Sequence, residues 1–295
     1  MKPKLIVSLL AVYLIWGSTY LAMQICIVDH LPPMLMAGLR YGSAGITLFA
    51  IAVWTGATIP PLRDWLRVLP VGVCFFVGGN GFIAIAEQTI SSGGAAVVAA
   101  TMPLWVGVLG RFTGEVVTVR EWITLVLGFV GVLILMGGPS LAGDTSHVVL
   151  LLLAPMAWAI GSLLSRKTRD IGGTHRSLVG PAMQMMTGGA ALALIGLLRR
   201  ETWPAHAPTE AYLCLLYLWS FGSLIGFTAY GWLLANARPV TATSYAFVNP
   251  IIAVLLGALV HHEPLGWTTV VANVLIVTAV ILVLWRPRSG VSPSD

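Results

Sequence analysis

The stretch ATSYAFVNPIIAVLLG at residues 242–257 decides the fold, because an earlier stretch, AAVVAATMPLWVGVLG at residues 95–110, follows the same pattern. Both are apolar runs with an internal proline, and their alignment places Pro103 on Pro250. A proline inside such a run predicts a kinked membrane helix, since proline removes one backbone hydrogen bond. We therefore interpret the chain as two copies of one membrane-embedded unit.

The composition supports a lipid environment. Of the 295 residues, 57% are hydrophobic and 9% are charged, whereas soluble domains carry about 25% charged residues. A water-soluble protein this apolar would expose large patches and aggregate. The net charge of +5 comes from Lys and Arg residues scattered between apolar runs. This pattern indicates membrane topology and argues against a nucleic-acid partner.

Ten apolar segments are long enough to cross a membrane, since a spanning helix needs roughly 20 residues. They lie near residues 5–27, 34–55, 66–90, 93–112, 121–138, 147–165, 177–198, 211–235, 240–260 and 265–285. We predict an all-α integral membrane protein of ten transmembrane helices. Residues 1–140 form a first half, residues 147–288 a second half, and residues 289–295 a short cytoplasmic tail.

The distribution of positive charge predicts the orientation. Ten spans place both termini on one side, and cytoplasmic loops carry the excess of Lys and Arg. If the N-terminus is inside, only Arg199 and Arg200 fall outside and Arg40 lies within a span, while the other thirteen of the 16 Lys and Arg residues fall inside. We therefore predict a multi-pass protein of the cell inner membrane with cytoplasmic N- and C-termini.

The similarity between the halves extends beyond the opening pair of stretches. GFIAIAE at residues 81–87 matches GFTAYGW at residues 226–232. Each half holds five spans, and because five is odd, the second half enters the membrane from the opposite side. We predict two inverted repeats around a central cavity, an arrangement typical of secondary transporters. The alternative is a membrane scaffold or sensor that kept the fold and transports nothing.

Five segments resemble a known family: IWGSTYLA at 15–22, MLMAGLRYGSAG at 34–45, GNGFIAIAEQ at 79–88, SSGGAAVVAATMPLW at 91–105 and TATSYAFVNPIIAVLLG at 241–257. They are similar to the drug/metabolite transporter superfamily, and within it to EamA-type ten-span permeases of the YedA/PecM-like branch. The resemblance implies a cavity lined by spans 1, 3, 4, 6, 8 and 9. It also implies export of small metabolites, amino acids or drug-like compounds by alternating access.

The candidates for substrate binding are aromatic and polar side chains within the spans. They are Trp16, Ser18, Tyr20, Asn80, Trp158, Ser162, Tyr230, Trp232, Tyr245 and Asn249. Trp16 and Tyr20 share one helix face, as do Tyr245 and Asn249, which continue a polar stripe from Thr241. Tryptophan in the middle of a span is unlike the interfacial belt and needs a partner for its N–H. The alternative role for such a tryptophan is helix packing, with the N–H bound to a neighbouring carbonyl.

Two prolines are candidates for gating. Pro103 and Pro250 occupy matching positions in spans 4 and 9, where the carbonyls that they free are tolerated if they line a cavity. We interpret them as hinges. A static kink is the alternative.

Two charged residues lie inside spans and away from their first and last two residues, Arg40 in span 2 and Glu87 in span 3. A charge inside a membrane indicates a functional site and requires a partner. Three interpretations of Glu87 are open: an ion pair with Arg40, proton uptake coupled to substrate exit, or snorkelling of the carboxylate to water at the span end.

Several classes of function have no signature in the chain. It carries no phosphate-binding loop, HExxH or GxSxG motif, so we predict neither ATP-driven transport nor an enzyme. The consecutive His261, His262 and Glu263 would splay apart on a helix, and we expect no metal and no cofactor. The expected partners are a small-molecule substrate and the lipid bilayer. Glycine pairs with small-xxx-small spacing predict close helix contacts and are compatible with a homodimer: Gly38/Gly42, Gly110/Gly114 and Gly222/Gly226.

Overall fold

A computed structural model describes residues 3–27, 31–114, 117–135, 137, 144–261 and 267–284. Every regular element within these ranges is helical. Eight helical stretches are long and apolar enough to cross a membrane. The prediction of an all-helical protein with multiple membrane spans is therefore confirmed.

The first half contains seven α-helices and one π-helical segment. They are α1 (Pro3–Ile27), α2 (Pro33–Trp54), α3 (Leu62–Gly72), the first π segment (Val73–Gly81), α4 (Phe82–Ala86), α5 (Ser92–Ala99), α6 (Met102–Gly110) and α7 (Val119–Leu135), with a 3-10 turn at Arg111–Thr113. The helices α3 and α4 and the π segment between them form one continuous stretch, Leu62–Ala86.

The second half is built in the same way. It comprises α8 (Thr145–Arg166), α9 (Arg176–Leu198), α10 (Thr209–Tyr217), the second π segment (Leu218–Ile225), α11 (Gly226–Asn236), α12 (Pro239–Thr243), α13 (Tyr245–His261) and α14 (Trp267–Leu284), with a 3-10 turn at Gly173–His175. The stretch Thr209–Asn236 is again continuous through its π segment.

Two of the ten predicted spans are not among these eight stretches. The helix in the fifth predicted span, α7, has 17 residues, which is slightly short of the roughly 20 that a bilayer requires. The ninth predicted span is divided into α12 and α13 at Ser244.

The two π segments lie at matching positions of the halves. A shift of 145 residues places GFIAIAE on GFTAYGW and carries Val73–Gly81 onto residues 218–226. In a π turn each carbonyl accepts from the amide five residues ahead, and the wider turn lets a carbonyl accept from a side chain as well. In the second π segment, the Ser223 hydroxyl donates to the Leu218 carbonyl at 3.1 Å.

Glycines bring helices of the two halves into backbone contact. A Cβ on Gly38 of α2 would lie 2.7 Å from the amide nitrogen of Ala193 on α9. A Cβ on Gly222 would lie 2.8 Å from the Arg40 guanidinium, and one on Gly226 would clash with the Trp16 indole. The close contacts predicted for Gly38, Gly222 and Gly226 are thus present.

Other glycines in the predicted pairs are less crowded. A Cβ on Gly42 or on Gly114 would meet no atom within 4 Å. Gly114 has a φ of 83°, in the left-handed region that favours glycine. Its role is therefore to end the fourth span, and helix packing does not require it.

Candidate functional site

A cavity of about 70 Å³ lies between the two halves, which is enough for several water molecules or a small solute group. Six of the predicted binding residues line it: Trp16, Tyr20, Asn80, Trp158, Tyr245 and Asn249. Arg40 and Tyr41 of α2 line it as well. Span 2 was not among the spans that the family resemblance implied, so α2 is an addition to the expected lining.

The cavity lies away from one end of the bundle. We call this the basic end, because three arginines lie close together there. Arg67 donates to the carbonyl of Lys167, next to Arg166, and Arg166 donates to the carbonyl of Ala237, next to Arg238. On α1, Tyr13 bonds to Ser244 near the basic end, with 2.6 Å between the two hydroxyl oxygens. The lining residues of α1 follow in sequence from Trp16 to Met23, toward the opposite end, which we call the far end.

Three aromatic side chains, Trp16, Trp158 and Tyr245, line the cavity on the side of the basic end, and Tyr230 packs behind them. We call Trp16, Trp158, Tyr230 and Tyr245 the aromatic floor. The ring of Trp16 lies 5.5 Å from Trp158, 5.0 Å from Tyr230 and 4.8 Å from Tyr245 between centroids. Its planes are nearly perpendicular to those of Trp158 and Tyr245, a favourable edge-to-face arrangement.

Hydrogen bonds hold the floor together and join Trp16 of the first half to the second half. The Trp16 N–H donates to the Gly222 carbonyl at 3.0 Å, and the Trp158 N–H donates to the Tyr230 oxygen at 3.2 Å. The Ser162 hydroxyl donates to the Trp158 carbonyl at 2.7 Å. Tyr230 therefore donates to Ser162, whose oxygen lies 2.7 Å away. Trp16 thus both lines the cavity and binds a carbonyl, which combines the two roles considered for it.

Four predicted binding residues do not line the cavity. Ser162 and Tyr230 are buried behind its wall. The Ser18 hydroxyl is bound to the Ile15 carbonyl at 2.8 Å and to the Tyr217 hydroxyl at 2.5 Å. Trp232 is half-buried against the apolar core. These side chains support the site from outside and do not reach its interior.

Several lining residues carried no signal that sequence reasoning used. They include Thr19, Met23, Tyr41, Gly79, Ile83, Ala99, Met102, Pro155 and Phe227. Two of them could have been found from spacing, because Thr19 and Met23 lie three and seven residues after Trp16 and share its helix face. Most of the others are ordinary apolar residues of a membrane helix.

Arg40 is held by the second π segment. Its side chain is only 4% exposed, and its Nε donates to the Leu218 carbonyl at 3.2 Å and to the Ser223 hydroxyl at 2.9 Å. The guanidinium carbon lies 4.4 Å from the centre of the Tyr41 ring, within cation–π range. Within the described ranges, no carboxylate forms an ion pair with it.

Glu87 does not pair with Arg40, contrary to the first interpretation. It caps the C-terminal end of α4, and neither carboxylate oxygen has a hydrogen-bond partner among the described residues. Its side chain is 1% exposed, so it does not reach water at the span end either. The pair fails because Arg40 faces the second π segment, whereas Glu87 lies beside Tyr20 of α1. Proton uptake is the interpretation that stays open.

Tyr20 connects Glu87 to the cavity. The Tyr20 side chain lines the cavity, interacts electrostatically with Glu87 and approaches Asn249. Asn249 is 2% exposed; its polar neighbour is Tyr20, and neither its amide nitrogen nor its oxygen completes a well-aligned hydrogen bond with the residues described. A buried amide whose hydrogen bonds are incomplete is costly, and in a cavity wall it is available to a solute.

The two prolines lie beside the cavity and do not line it. Pro103 is at the start of α6, after a break in the helix at Ala100 and Thr101. Pro250 lies inside α13, one turn beyond its first residue, Tyr245. The residues that precede them, Met102 and Asn249, both line the cavity.

Polar contacts join the halves at the basic end. Arg67 of α3 donates to Asp170, which follows α8, at 3.0 Å, and these bonds hold the pKa of Asp170 below its ordinary value of 3.8. Arg238, which precedes α12, forms a bidentate ion pair with Glu121 of α7. Within the second half, Arg166 donates to the Ala237 carbonyl at 3.0 Å.

The histidine cluster considered from the sequence falls partly outside the described residues. His262 and Glu263 are not described, and His261 is the last residue of α13. Within the described ranges, no three His, Cys, Asp or Glu side chains gather in a way that could hold a metal ion.

Comparison with known proteins relates both halves to one family. Residues 3–137 and 145–285 each match the EamA-like transporter family. The chain is 38% identical over 278 residues to the uncharacterized inner membrane transporter YedA of Escherichia coli (strain K12), covering 94% of this chain and 89% of YedA. It is 30% identical to protein PecM of Dickeya dadantii (strain 3937), covering 95% of this chain and 94% of PecM.

The fold is also found in a solved structure. A protein crystal structure aligns with a TM-score of 0.77 and 18% sequence identity, covering 96% of this chain and 98% of that one. This likeness concerns the fold alone.

Proposed function

Because the chain belongs to the EamA-like transporter family, we propose that it is a secondary transporter that exports small metabolites, amino acids or drug-like compounds by alternating access. The observation that carries the proposal is the cavity between the halves, which both halves line with aromatic and polar side chains and into whose wall the buried Asn249 amide is built. The match is to a transporter family and not to a catalytic one, so we assign no enzyme activity.

Three features support two inverted five-span repeats. The family matches each half separately, and the π segments are related by the shift that aligns the two sequences. The packing is also reciprocal: Trp16 of the first half contacts Gly222 in the second π segment, and Trp158 of the second half contacts Gly79 in the first. We propose α7 and the pair α12–α13 as the remaining spans, with both termini cytoplasmic.

The aromatic floor and the basic-end contacts support a state that is closed to the cytoplasm. The cavity lies on the far side of the floor from Tyr13 and Ser244, and the ion pairs Arg67–Asp170 and Glu121–Arg238 join the halves behind it. Opening on the cytoplasmic side would require these contacts to separate. The proposed hinges are Pro103, beside the break at Ala100 and Thr101, and Pro250, which follows the break at Ser244.

The lining favours a small amphipathic solute. Aromatic faces of Trp16 and Trp158 offer stacking surfaces, while Asn80 and Asn249 offer hydrogen bonds. Arg40 contributes a positive charge that no carboxylate of the described residues neutralises. An acidic group on the solute would compensate that charge.

Glu87 is the proposed coupling group. A buried carboxylate without a partner is costly when ionised, and such groups become neutral by taking up a proton. Tyr20 lies between Glu87 and the cavity, so solute binding and proton release can influence each other through one side chain. A scaffold would have no use for this polar cluster beside a cavity, and a sensor would bind a solute there without moving it across the membrane.

An export assay tests the proposal. Cells that overproduce the chain would be challenged with a panel of amino acids, analogues and drugs, and we expect increased tolerance of at least one compound. Asn249→Ala should abolish that tolerance at unchanged protein level, because the amide completes no well-aligned hydrogen bond with the described residues and its polar neighbour, Tyr20, also lines the cavity. Leu14→Ala, at a 58% exposed position of the same bundle, is the control. Equal tolerance of all compounds with and without the protein would contradict the proposal.

A further inference from the structure

A lipid-facing groove runs along the outside of the α2–α9 pair. It has a volume of about 630 Å³ and extends along α2 from Leu35, beside Trp203, to Ile46. We propose that this groove binds one acyl chain of an anionic phospholipid, whose phosphate lies at Arg199 and Arg200. The inference goes beyond the proposed function and does not depend on it.

Missing side chains create the groove. Gly38 lets the backbones of α2 and α9 touch, because a Cβ there would lie 2.7 Å from the Ala193 nitrogen. Gly42, one turn later, lines the groove, and a Cβ on it would meet nothing within 4 Å. The flanking Leu39 and Ile46 are 55% and 58% exposed. The groove is therefore open to the hydrocarbon around the protein.

The length of the groove matches one leaflet. Leu35 and Ile46 are eleven residues apart, which corresponds to about 16 Å at 1.5 Å per residue. The hydrocarbon core of a bilayer is about 30 Å thick. A groove that starts near one end of the bundle and stops at about half that thickness fits a chain from a single leaflet.

Two cations lie at the open end. Arg199 and Arg200 directly follow α9, at the end where Leu35 and Trp203 line the groove. The Arg199 side chain is 51% exposed, and its Nε is 3.7 Å from Glu201. Both arginines are thus accessible at the depth where a phosphate would lie.

Glu201 reduces this charge only in part. Its second oxygen accepts from the amides of Met34 and Leu35 at 3.0 Å and 2.9 Å, which caps α2 at the mouth of the groove. Two arginines and one carboxylate leave one positive charge, which matches a phosphodiester. The Trp203 N–H donates to Tyr212 at 3.3 Å, and such aromatic pairs are typical of the headgroup level.

The same charges disfavour a second copy of this chain. In a two-fold dimer, the same patch would face itself. Arg199 and Arg200 of one protomer would then lie against those of its partner, and the like charges would repel. An anionic lipid compensates the charge of the arginines with its phosphate and fills the apolar groove with its acyl chain.

The test is native mass spectrometry of the full chain with phosphatidylglycerol and phosphatidylcholine as probes. We expect retained phosphatidylglycerol, with less phosphatidylcholine. Gly42→Leu should remove the bound lipid by filling the groove. Arg200→Gly should lower phosphatidylglycerol retention about fivefold, the effect of one cation near the surface. The backbone of Arg200 has a left-handed φ of 57°, which suits glycine, so Arg200→Gly keeps the turn.

Two controls make the result specific. Val274→Leu adds bulk at a 60% exposed position of α14, and Arg63→Gln removes an exposed arginine at the opposite end. Both should retain lipid as the unaltered chain does. The proposal would be overturned if the unaltered chain bound both lipids equally and neither Gly42→Leu nor Arg200→Gly changed that binding. A dimer that Gly42→Leu dissociates, with no bound lipid, would overturn it in favour of a second copy.

Discussion

The indole N–H of Trp16 donates to the carbonyl oxygen of Gly222 at 3.0 Å, and so joins α1 of the first half to the second π segment. Gly226, one turn later, also packs on this indole, since a Cβ there would clash with it. The aromatic floor is therefore fixed to the second half at its centre.

Trp16→Phe should weaken this connection while keeping an aromatic ring. The lost hydrogen bond corresponds to about 1 kcal/mol, so we expect a lower Tm in detergent and slower transport. Trp267→Phe, at a 78% exposed position, should change neither. Unaltered Tm and flux in Trp16→Phe would show that the bond does not hold the halves together.

Glu87→Gln should uncouple transport from the proton gradient. Glutamine has the same shape and no charge to bury, so the protein should be at least as stable as before. In vesicles, flux through the unaltered chain should follow an imposed pH gradient, whereas flux through the variant should not. Glu210→Gln, on the exposed start of α10, is the control. If the variant still responds to the gradient, Glu87 is not the coupling group.

Exchanging the charges of Arg40 and Glu87 should not restore function. Arg40→Glu would lose the bonds to Leu218 and Ser223, and Glu87→Arg would place a cation beside Tyr20. Each single change should abolish transport, and so should the double variant. Recovery of flux in the double variant would mean that the two side chains pair during the cycle.

Asp170→Asn should favour opening toward the basic end. Because the bonds from Arg67 hold the pKa of Asp170 below 3.8, the ion pair is fully formed at neutral pH and is lost only as the pH falls through that lowered value. The pair is exposed, so stability should barely change. Labelling of Met102→Cys by a membrane-impermeant thiol reagent from the cytoplasmic side should become faster. Asp144→Asn is the control, and equal labelling rates would exclude a gating role.

Gly38→Ala and Gly42→Ala form a matched pair. The new methyl group at position 38 would lie 2.7 Å from the Ala193 nitrogen, whereas the one at position 42 would meet nothing within 4 Å. Overpacking predicts a loss of about 1–3 kcal/mol for Gly38→Ala. Gly42→Ala should be neutral or slightly stabilising, since alanine favours helix. Thermal unfolding of the two variants in the same detergent measures the difference, and equal effects would contradict the packing of α2 on α9.

The sequence predicted cavity-lining residues correctly where the polarity of the side chain was enough to keep it out of lipid. Asn80, Tyr245 and Asn249 are costly in lipid, and all three line the cavity. Ser18 is polar too, but a hydroxyl can bond to its own helix backbone, as Ser18 does to Ile15. Polarity therefore predicts that a side chain avoids lipid without predicting that it faces the cavity.

The error over Arg40 and Glu87 has a geometric cause. Sequence position gives the depth of a residue along its span, and both charges lie in the half of the bundle away from the basic end. It does not give the direction in which the side chain points. Arg40 turns toward Leu218, which is 178 residues away in sequence. The π segments were not foreseen either, because a wider helical turn has no composition of its own.

Each π segment also constrains how the protein can evolve. A π turn accommodates one residue more than an α-helical turn, and each residue rotates an α-helix by about 100°. Deleting one residue from Val73–Gly81 would therefore let the segment close to α-helical turns, with Ile83 and Glu87 keeping their present neighbours. A deletion in an α-helical part of the same span would instead turn all that follows by about 100°. The two π segments are thus the places where a span beside the cavity can lose one codon and keep its register, whereas a codon lost from a flanking α-helical turn would dismantle one wall of the site.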